Sequence, residues 1–494
     1  MFGVDRKLIW GSVKIKASLT NQNRKFFMEP NNTPSLAGVE TRRNFLKKAA
    51  TAAAAVAATN PFKTPVYGQS SAPSAGRVIG ANDRIAVGYI GIGGWPSDCP
   101  GMGLAHVESQ KRNAGENNIV QAAVCDLYKT RNEHAKEKIG ASEVKSFDDY
   151  RKLLEQKDID AVVIATHDPW HARCAIDAME SGKHVYCEKP MTRYLGEAFE
   201  IYDAVKRTGR VFQVGSQGCS AAAWHKAAEL IRAGKIGKLV WAQGYYCRNN
   251  PKGEWNYKID EGATPQTVNW KMWLGQVHKK VDFNPDHFFR WRKFYPYCAG
   301  LLGDLVPHRL LPLMLATGTP EYPKRVVCIG TNPVGTDRNT PGALERDVPE
   351  HINLLVEFPS GLTLTIASST VNATSPGFVI YGHHGTLNIG DQGNRLQLVP
   401  ERPFAEEIDP VTMDGLEPHE DVAVHEKNWF DSIRANKQPN ANIELAVRAQ
   451  TVISLAEMSQ RLNMTCLFDD KTRKIKDGSG KEVKAITYGT LELS

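Results

Sequence analysis

Asp304 and His308 are the carboxylate and imidazole whose spacing best suits proton transfer in this sequence. On a helix, side chains four apart share one face. Pro307 between them is tolerated in a first turn, where backbone amides lack intrahelical partners. Histidine titrates near neutral pH, and a neighbouring carboxylate fixes its tautomer and steadies the imidazolium, so the pair could remove a hydroxyl proton. The same spacing also fits a helix cap beside a satisfied interior histidine. A second cluster, Glu188-Lys189-Pro190, joins a carboxylate and an ammonium at a proline, and taken alone it reads equally well as an exposed turn.

What gives these groups a place is the pattern around them. The β-branched run at 84–90 ends in Gly91-Ile92-Gly93-Gly94, the context in which bare backbone lets a pyrophosphate approach a helix N-terminus. The third glycine of G-x-G-x-x-G falls at Pro96. Glycines return at Gly101 and Gly103, as if residues 95–100 were inserted into the phosphate loop, and one of those two should be the close-packing position. A second strand, 119–125, closes at Asp126, an acid placed to accept both ribose hydroxyls of NAD. Lys129 and Arg131 behind it keep NADP as the alternative. Further strands at 160–166 and 184–187 complete a strand and helix alternation that predicts a doubly wound parallel sheet. Ligands bind where such strands end, which puts Thr166 and Glu188 to Pro190 on the cofactor edge.

From 216 onward, strand-like runs at 239–246, 326–330, 352–358, 362–368 and 378–381 lack regular helices between them. The predicted fold is α/β: an N-terminal Rossmann domain over 82–215, then an α+β domain over 216–494 with a largely antiparallel open sheet. Residues 442–462 read as an amphipathic closing helix. The basic and aromatic stretch 288–295 offers Arg290 and Arg292 to a hydroxyl-rich ring or a sugar acid, and a core lid is the plainer reading.

The formal charge of +7 is misleading, because residues 1–58 hold ten Lys or Arg against three acids and account for all of it. The balanced remainder argues against a broad face for nucleic acid. Nine scattered cysteines show no zinc spacing, so no metal is expected; they suit small buried groups or one or two incidental disulfides. Arg42-Arg43 before the alanine-rich run 49–58 matches a twin-arginine export signal, with Met28 as an alternative start and cleavage expected around 55–57. That run is too short for a permanent membrane anchor. Residues 59–81 read as a linker, and the protein is expected to be exported to the periplasm.

The ordered set of Gly91-Ile92-Gly93-Gly94, Ala165-Thr166 with Trp170-His171, Glu188-Lys189-Pro190 and Gly300 to His308 resembles the Gfo/Idh/MocA family, which includes glucose-fructose oxidoreductase and inositol dehydrogenase. The resemblance runs from about 82 to 468. It implies that Gly91, Ile92, Gly93, Gly94, Asp126, Thr166, His171, Glu188, Lys189 and Pro190 bind the dinucleotide. It implies that Lys189 lies beside the nicotinamide and polarises the substrate hydroxyl, with Glu188 orienting it and a cis bond before Pro190 aiming it. His308 is then the base, held by Asp304. Leu311 departs from the acid that many relatives carry three residues after the histidine, which leaves one substrate hydrogen bond in doubt.

An exported enzyme has no cytosolic pool to regenerate its cofactor, so a sugar or polyol oxidoreductase with recycled NAD is expected. Two alternatives stand beside it: a NAD-dependent redox-neutral glycoside hydrolase, whose members usually lack an intact Glu-Lys-Pro, and a non-catalytic sugar-binding relative. Relatives often pair through the open sheet face, so a homo-oligomer is expected.

Overall fold

The computed structural model describes residues 84–96, 99, 101–318 and 320–491. The export signal, the whole of the linker 59–81 and the expected start of the Rossmann domain at 82 therefore lie outside the described residues.

Six parallel strands form the first sheet: β1 (Ile85–Ile90), β2 (Ile119–Cys125), β3 (Lys145–Phe147), β4 (Ala161–Ile164), β5 (His184–Glu188) and β6 (Phe212–Gly215), in the order 3-2-1-4-5-6. The order reverses between β1 and β4, which opens a crevice at their C-terminal ends. Every residue of β1 and β4 is buried, as an unbroken apolar run predicts for strands covered on both faces. Sequence reading missed β3, whose three residues carry no apolar pattern, and β6, whose four are too few to show a period.

The second sheet has eleven strands. Its centre is β7 (Leu239–Cys247), β8 (Arg325–Thr331), β9 (His351–Glu357), β10 (Thr363–Ser369) and β11 (Phe378–Gly382). Three more, β12 (Gly385–Ile389), β13 (Leu396–Pro400) and β14 (Val411–Met413), extend one side. The other side carries β15 (Cys466–Asp469), β16 (Lys474–Lys476) and β17 (Glu482–Val483). The order is 14-13-12-11-7-10-9-8-15-16-17, antiparallel apart from the β7 and β10 pair. Along β9 buried and more exposed residues alternate, as a half-buried strand requires. The outward face shows Ile329, Leu355, Val240 and Val399 at 40% exposure or more.

Five helices matter for the site: α1 (Met102–Arg112), α2 (Leu301–Asp304), α3 (Pro307–Ala316), α4 (Val422–Ala435) and α5 (Ile443–Leu462). Their arrangement departs from expectation in three ways. Asp304 and His308 do not share one helix, because the chain breaks at Leu305 and Val306 and restarts with Pro307 in the first position of α3. The helix predicted to close the fold amphipathically, α5, is instead buried nearly all round, wedged between β8, α3 and the helix Leu195–Thr208. Its N-cap is Asn442, whose side chain accepts from the Glu444 and Leu445 amides. And α4 belongs physically to the first sheet, where Trp429, Phe430 and Ile433 join the core of β1 and β2. No disulfide joins the described cysteines, most of which are buried as small apolar groups.

Candidate functional site

At the β1 and β4 crevice lies a cleft lined from both domains. Its floor is the glycine loop. Gly91 has φ of +82° and a Cβ there would stand 2.6 Å from the Thr166 amide nitrogen. Gly101 and Gly103 both prove to be close-packing positions, since a Cβ on either would come within 2.0 Å of loop backbone. The α1 N-terminus has no side-chain cap; its Leu104 amide donates to the Ile92 carbonyl at 2.8 Å, and the Met102 and Gly103 amides before it are left for an anion. Thr166 Oγ1 is buried without a partner and lines the cleft. This uncapped cradle, closed by glycines and carrying an unmet hydroxyl, fits a dinucleotide.

Gly91, Ile92, Gly93, Asp126, Thr166, Glu188 and Lys189 all line the cleft. Asp126 braces the loop as well, because its Oδ2 accepts from the Ile92 amide at 2.8 Å and its Oδ1 from that of Tyr128 at 2.9 Å. Oδ2 also accepts from the Gly93 amide at 3.4 Å, so it is Oδ1 that keeps a further lone pair for a ribose hydroxyl. Three residues expected in the cofactor set do not line the cleft. Gly94 packs under Leu104. His171 is a buried clamp with Nδ1 2.7 Å from the Pro190 carbonyl and Nε2 3.0 Å from that of Thr166. It joins the ends of β4 and β5, and Pro190 serves as its anchor. The Lys189 to Pro190 bond is cis. Of the two cations behind Asp126, Arg131 lines the cleft, over the Phe288 ring at 4.7 Å, whereas Lys129 is exposed beside Glu133.

The lysine lies within the protein, 9% exposed. Its Nζ donates to Asp304 Oδ1 at 2.6 Å and to the Asp304 carbonyl at 2.9 Å. Asp304 also accepts from Arg292 Nε at 2.9 Å and from Trp255 Nε1 at 2.8 Å. Burial opposes its ionisation, but Lys189, Arg292 and the indole outweigh that and hold its carboxyl far below the usual range. Burial, then the nearby Lys189 charge, holds the His308 imidazole well below its ordinary value. His308 is therefore a neutral base at neutral pH.

Three assignments change. Asp304 accepts its hydrogen bonds from Lys189, Arg292 and Trp255 rather than from His308. Glu188 does not touch the lysine ammonium; its Oε2 accepts the Lys189 backbone amide at 3.2 Å. Arg290 is committed to Asp286 at 2.7 Å and to the Tyr257 carbonyl at 2.8 Å and does not line the cleft, unlike Arg292.

Sequence reading offered a lid only at 288–295 and missed the rest of the cover. Residues 250–297 fold over the cleft as a separate apolar cluster, with Trp273, Phe288 and Phe289 facing Tyr128 and Trp95. Asp260 Oδ2 fastens it, accepting from Trp95 Nε1 and Tyr128 hydroxyl, each at 2.7 Å. His167 stacks on Trp273 with centroids 4.1 Å apart. Trp255 was also missed. It is buried in the left-handed region at φ of +67°, a strained state for a bulky residue that its bond to Asp304 accompanies.

Among the described residues no helix is long and apolar enough to cross a membrane, and no group of side chains has the makings of a metal site. A glycosyl hydrolase family 109 protein of Shewanella baltica is 32% identical over 219 residues, 42% of this chain and 45% of its own. An alpha-N-acetylgalactosaminidase of Shewanella oneidensis is 31% identical over 218 residues, with the same shares. The chain thus spans about half the length of these curated relatives. Among solved structures, an oxidoreductase domain protein from Kribbella flavida is 22% identical with a TM-score of 0.59, covering 77% of this chain and 98% of that one. Levoglucosan dehydrogenase in complex with NADH and levoglucosan is 19% identical with a TM-score of 0.58, covering 78% and 98%. At those identities the likeness is one of fold. The NAD-binding Rossmann model of the oxidoreductase family matches residues 85–216 and the GFO/IDH/MocA C-terminal domain model matches 271–388. With just over half of the chain matched, on both domains that build the cleft, this protein belongs to the Gfo/Idh/MocA oxidoreductase family and carries an NAD-binding Rossmann domain.

Proposed function

We propose that the protein is an NAD-dependent oxidoreductase acting on a sugar or polyol hydroxyl, exported by the twin-arginine route and keeping its cofactor through repeated turnovers. The observation that carries the reading is the Lys189 ammonium, at the cleft wall and held by Asp304, in the electrostatic reach of a neutral His308. NAD, when bound, supplies the hydride acceptor. Neutral His308 takes the proton of the substrate hydroxyl. Lys189 spends two donors on Asp304 and offers the third to the same oxygen, stabilising its developing negative charge. Asp304, Arg292 and Trp255 hold that lysine in place. Retention of the cofactor is supported by the cover and its Asp260 fastening.

A screen of monosaccharides and polyols, read by absorbance of reduced nicotinamide, tests the reaction. No response with any sugar, in protein shown by mass spectrometry to carry NAD, would defeat it. A second reading, a redox-neutral NAD-dependent glycoside hydrolase, is favoured by the names of the Shewanella relatives. Release of nitrophenol from nitrophenyl glycosides, including N-acetylgalactosaminides, separates the two. For the outward apolar face of the second sheet we propose pairing with a second copy, which sedimentation of the purified protein would reveal.

A further inference from the structure

Behind the cleft wall lies a second imidazole and carboxylate cluster that the chemistry above does not use. His106, in the second turn of α1, is wholly buried, with Nε2 2.9 Å from Glu188 Oε1 and Nδ1 2.6 Å from Glu426 Oε1. Both ring nitrogens face carboxylate oxygens, an arrangement fully satisfied only when both carry hydrogen. Burial opposes that charge, but the two carboxylates outweigh it and push the imidazole up to about 9. Burial likewise opposes ionisation of Glu188, yet His106 and Lys189 keep its carboxyl below the ordinary value.

The rest of the surroundings fix this cluster without adding charge. From β5 the Tyr186 ring stands edge-on to His106 at 4.8 Å, and from α4 His425, pushed down to about 4 by burial, is neutral. Ser109 Oγ and Gln110 Nε2 donate to Glu426 at 2.7 and 2.9 Å. The Tyr89 hydroxyl donates to Gln110 Oε1 at 2.6 Å. Gln217 Nε2 reaches Glu188 Oε1 at 3.3 Å. Opposite, a Cβ on Gly215 would stand 2.6 Å from Glu188 Oε1, so the carboxylate fills the space of a missing side chain. Its other oxygen takes the Lys189 amide.

We propose that His106 is a positioning residue: as an imidazolium it locks the Glu188 carboxylate, which through the Lys189 backbone aims the ammonium at the reacting oxygen, and Glu426 keeps that imidazolium protonated. The proposal rests on the dehydrogenase reading of Lys189. The helix that starts at the glycine cradle is thereby tied to the catalytic lysine by two side chains, His106 and Glu188, and α4 returns from far along the chain to hold the charge. Such a role shows in kcat, where the lysine acts, and not in NAD affinity, which the α1 N-terminus sets.

The test is nuclear magnetic resonance of histidine-labelled protein, with His106→Gln supplying the assignment, beside NAD titration by tryptophan fluorescence and a pH profile of kcat. In the wild type the His106 resonance stays protonated through pH 8, and kcat declines as it titrates. In Glu426→Gln the midpoint falls by a unit or more and kcat drops tenfold or more above that same midpoint, with NAD affinity within threefold. His106→Gln loses kcat at every pH. If Glu426→Gln does not fold, the wild-type resonance and the decline of kcat on the same midpoint carry the test. A wild-type His106 that titrates below pH 7, or variants that lose thermal stability and NAD affinity with kcat intact, overturn the positioning role alone. An NAD-loaded wild type that oxidises no sugar, with the resonance behaving as expected, overturns the dehydrogenase reading and the positioning role with it.

Discussion

Lys189 and Arg193 lie four residues apart after β5, and each reaches a buried carboxylate of the second domain. Arg193 donates to both oxygens of Glu457 at 2.7 and 2.8 Å and to the Tyr295 carbonyl, while Arg461 adds a third bond to Glu457 at 2.9 Å. That pair is closed on every side, its arginine side chain fully buried. Lys189 makes a comparable bond to Asp304, but it lines a cleft and keeps one donor in hand. Two cations of similar burial thus serve different ends. The planar fork of Arg193 is exhausted by protein and welds two domains, whereas the shorter valence of lysine leaves a proton for a ligand.

The sharpest way to break this comparison is to delete each cation. Lys189→Ala should lower kcat by about 10³-fold, within the usual span for an acid–base group, with a smaller fall in melting temperature than Arg193→Ala because Asp304 keeps Arg292 and Trp255 as donors. Arg193→Ala should do the reverse: about 3–5 kcal/mol of stability is lost by leaving Glu457 buried with less compensation, and turnover per folded molecule is kept. Turnover and thermal melts read side by side decide it, and an inactive but stable Arg193→Ala would erase the distinction. Asp304→Asn should cost about 10²-fold in kcat with KM for substrate little changed, because it loosens the lysine rather than removing it.

A smaller effect is expected at the cover. Asp260→Ala removes the acceptor shared by Trp95 and Tyr128 and should speed NAD release about tenfold, measured by stopped-flow displacement, with kcat unchanged. The smallest is a pH effect. The folded His308 is held below the ordinary histidine value, so its neutral form persists into acid. Between pH 8 and 6, kcat/KM for oxidation should therefore stay flat instead of falling near 6.5. A fall centred on 6.5 would place the base elsewhere.

The Rossmann half was legible because its signals are local. The strand at 119–125 was read with its observed bounds, and Gly91 and Asp126 close their strands where the pattern said they would. The second sheet's main strands also came within one or two residues, as at β9 and β10. Most of the cover was not legible. Residues 250–297 carry only short helical turns, and their aromatic residues look like any core segment until Tyr128 and Trp95 are brought opposite them. His106 showed nothing in the chain but a histidine inside a helix, since its two partners are 82 and 320 residues away.

The amino-acid order alone determined the sheet class, the cofactor edge and which side chains could do chemistry, because strand periodicity, glycine loops and strand-end acids act through near neighbours. Only the tertiary structure decided how those side chains are employed. It broke the helix between Asp304 and His308, spent Arg290 on Asp286, turned His171 into a clamp and gave Glu188 to His106 instead of to the lysine. The physical reason is that a buried donor or acceptor must find a partner wherever the fold supplies one: one helical turn back for Arg290, at the ends of two neighbouring strands for His171, and on α1 for Glu188.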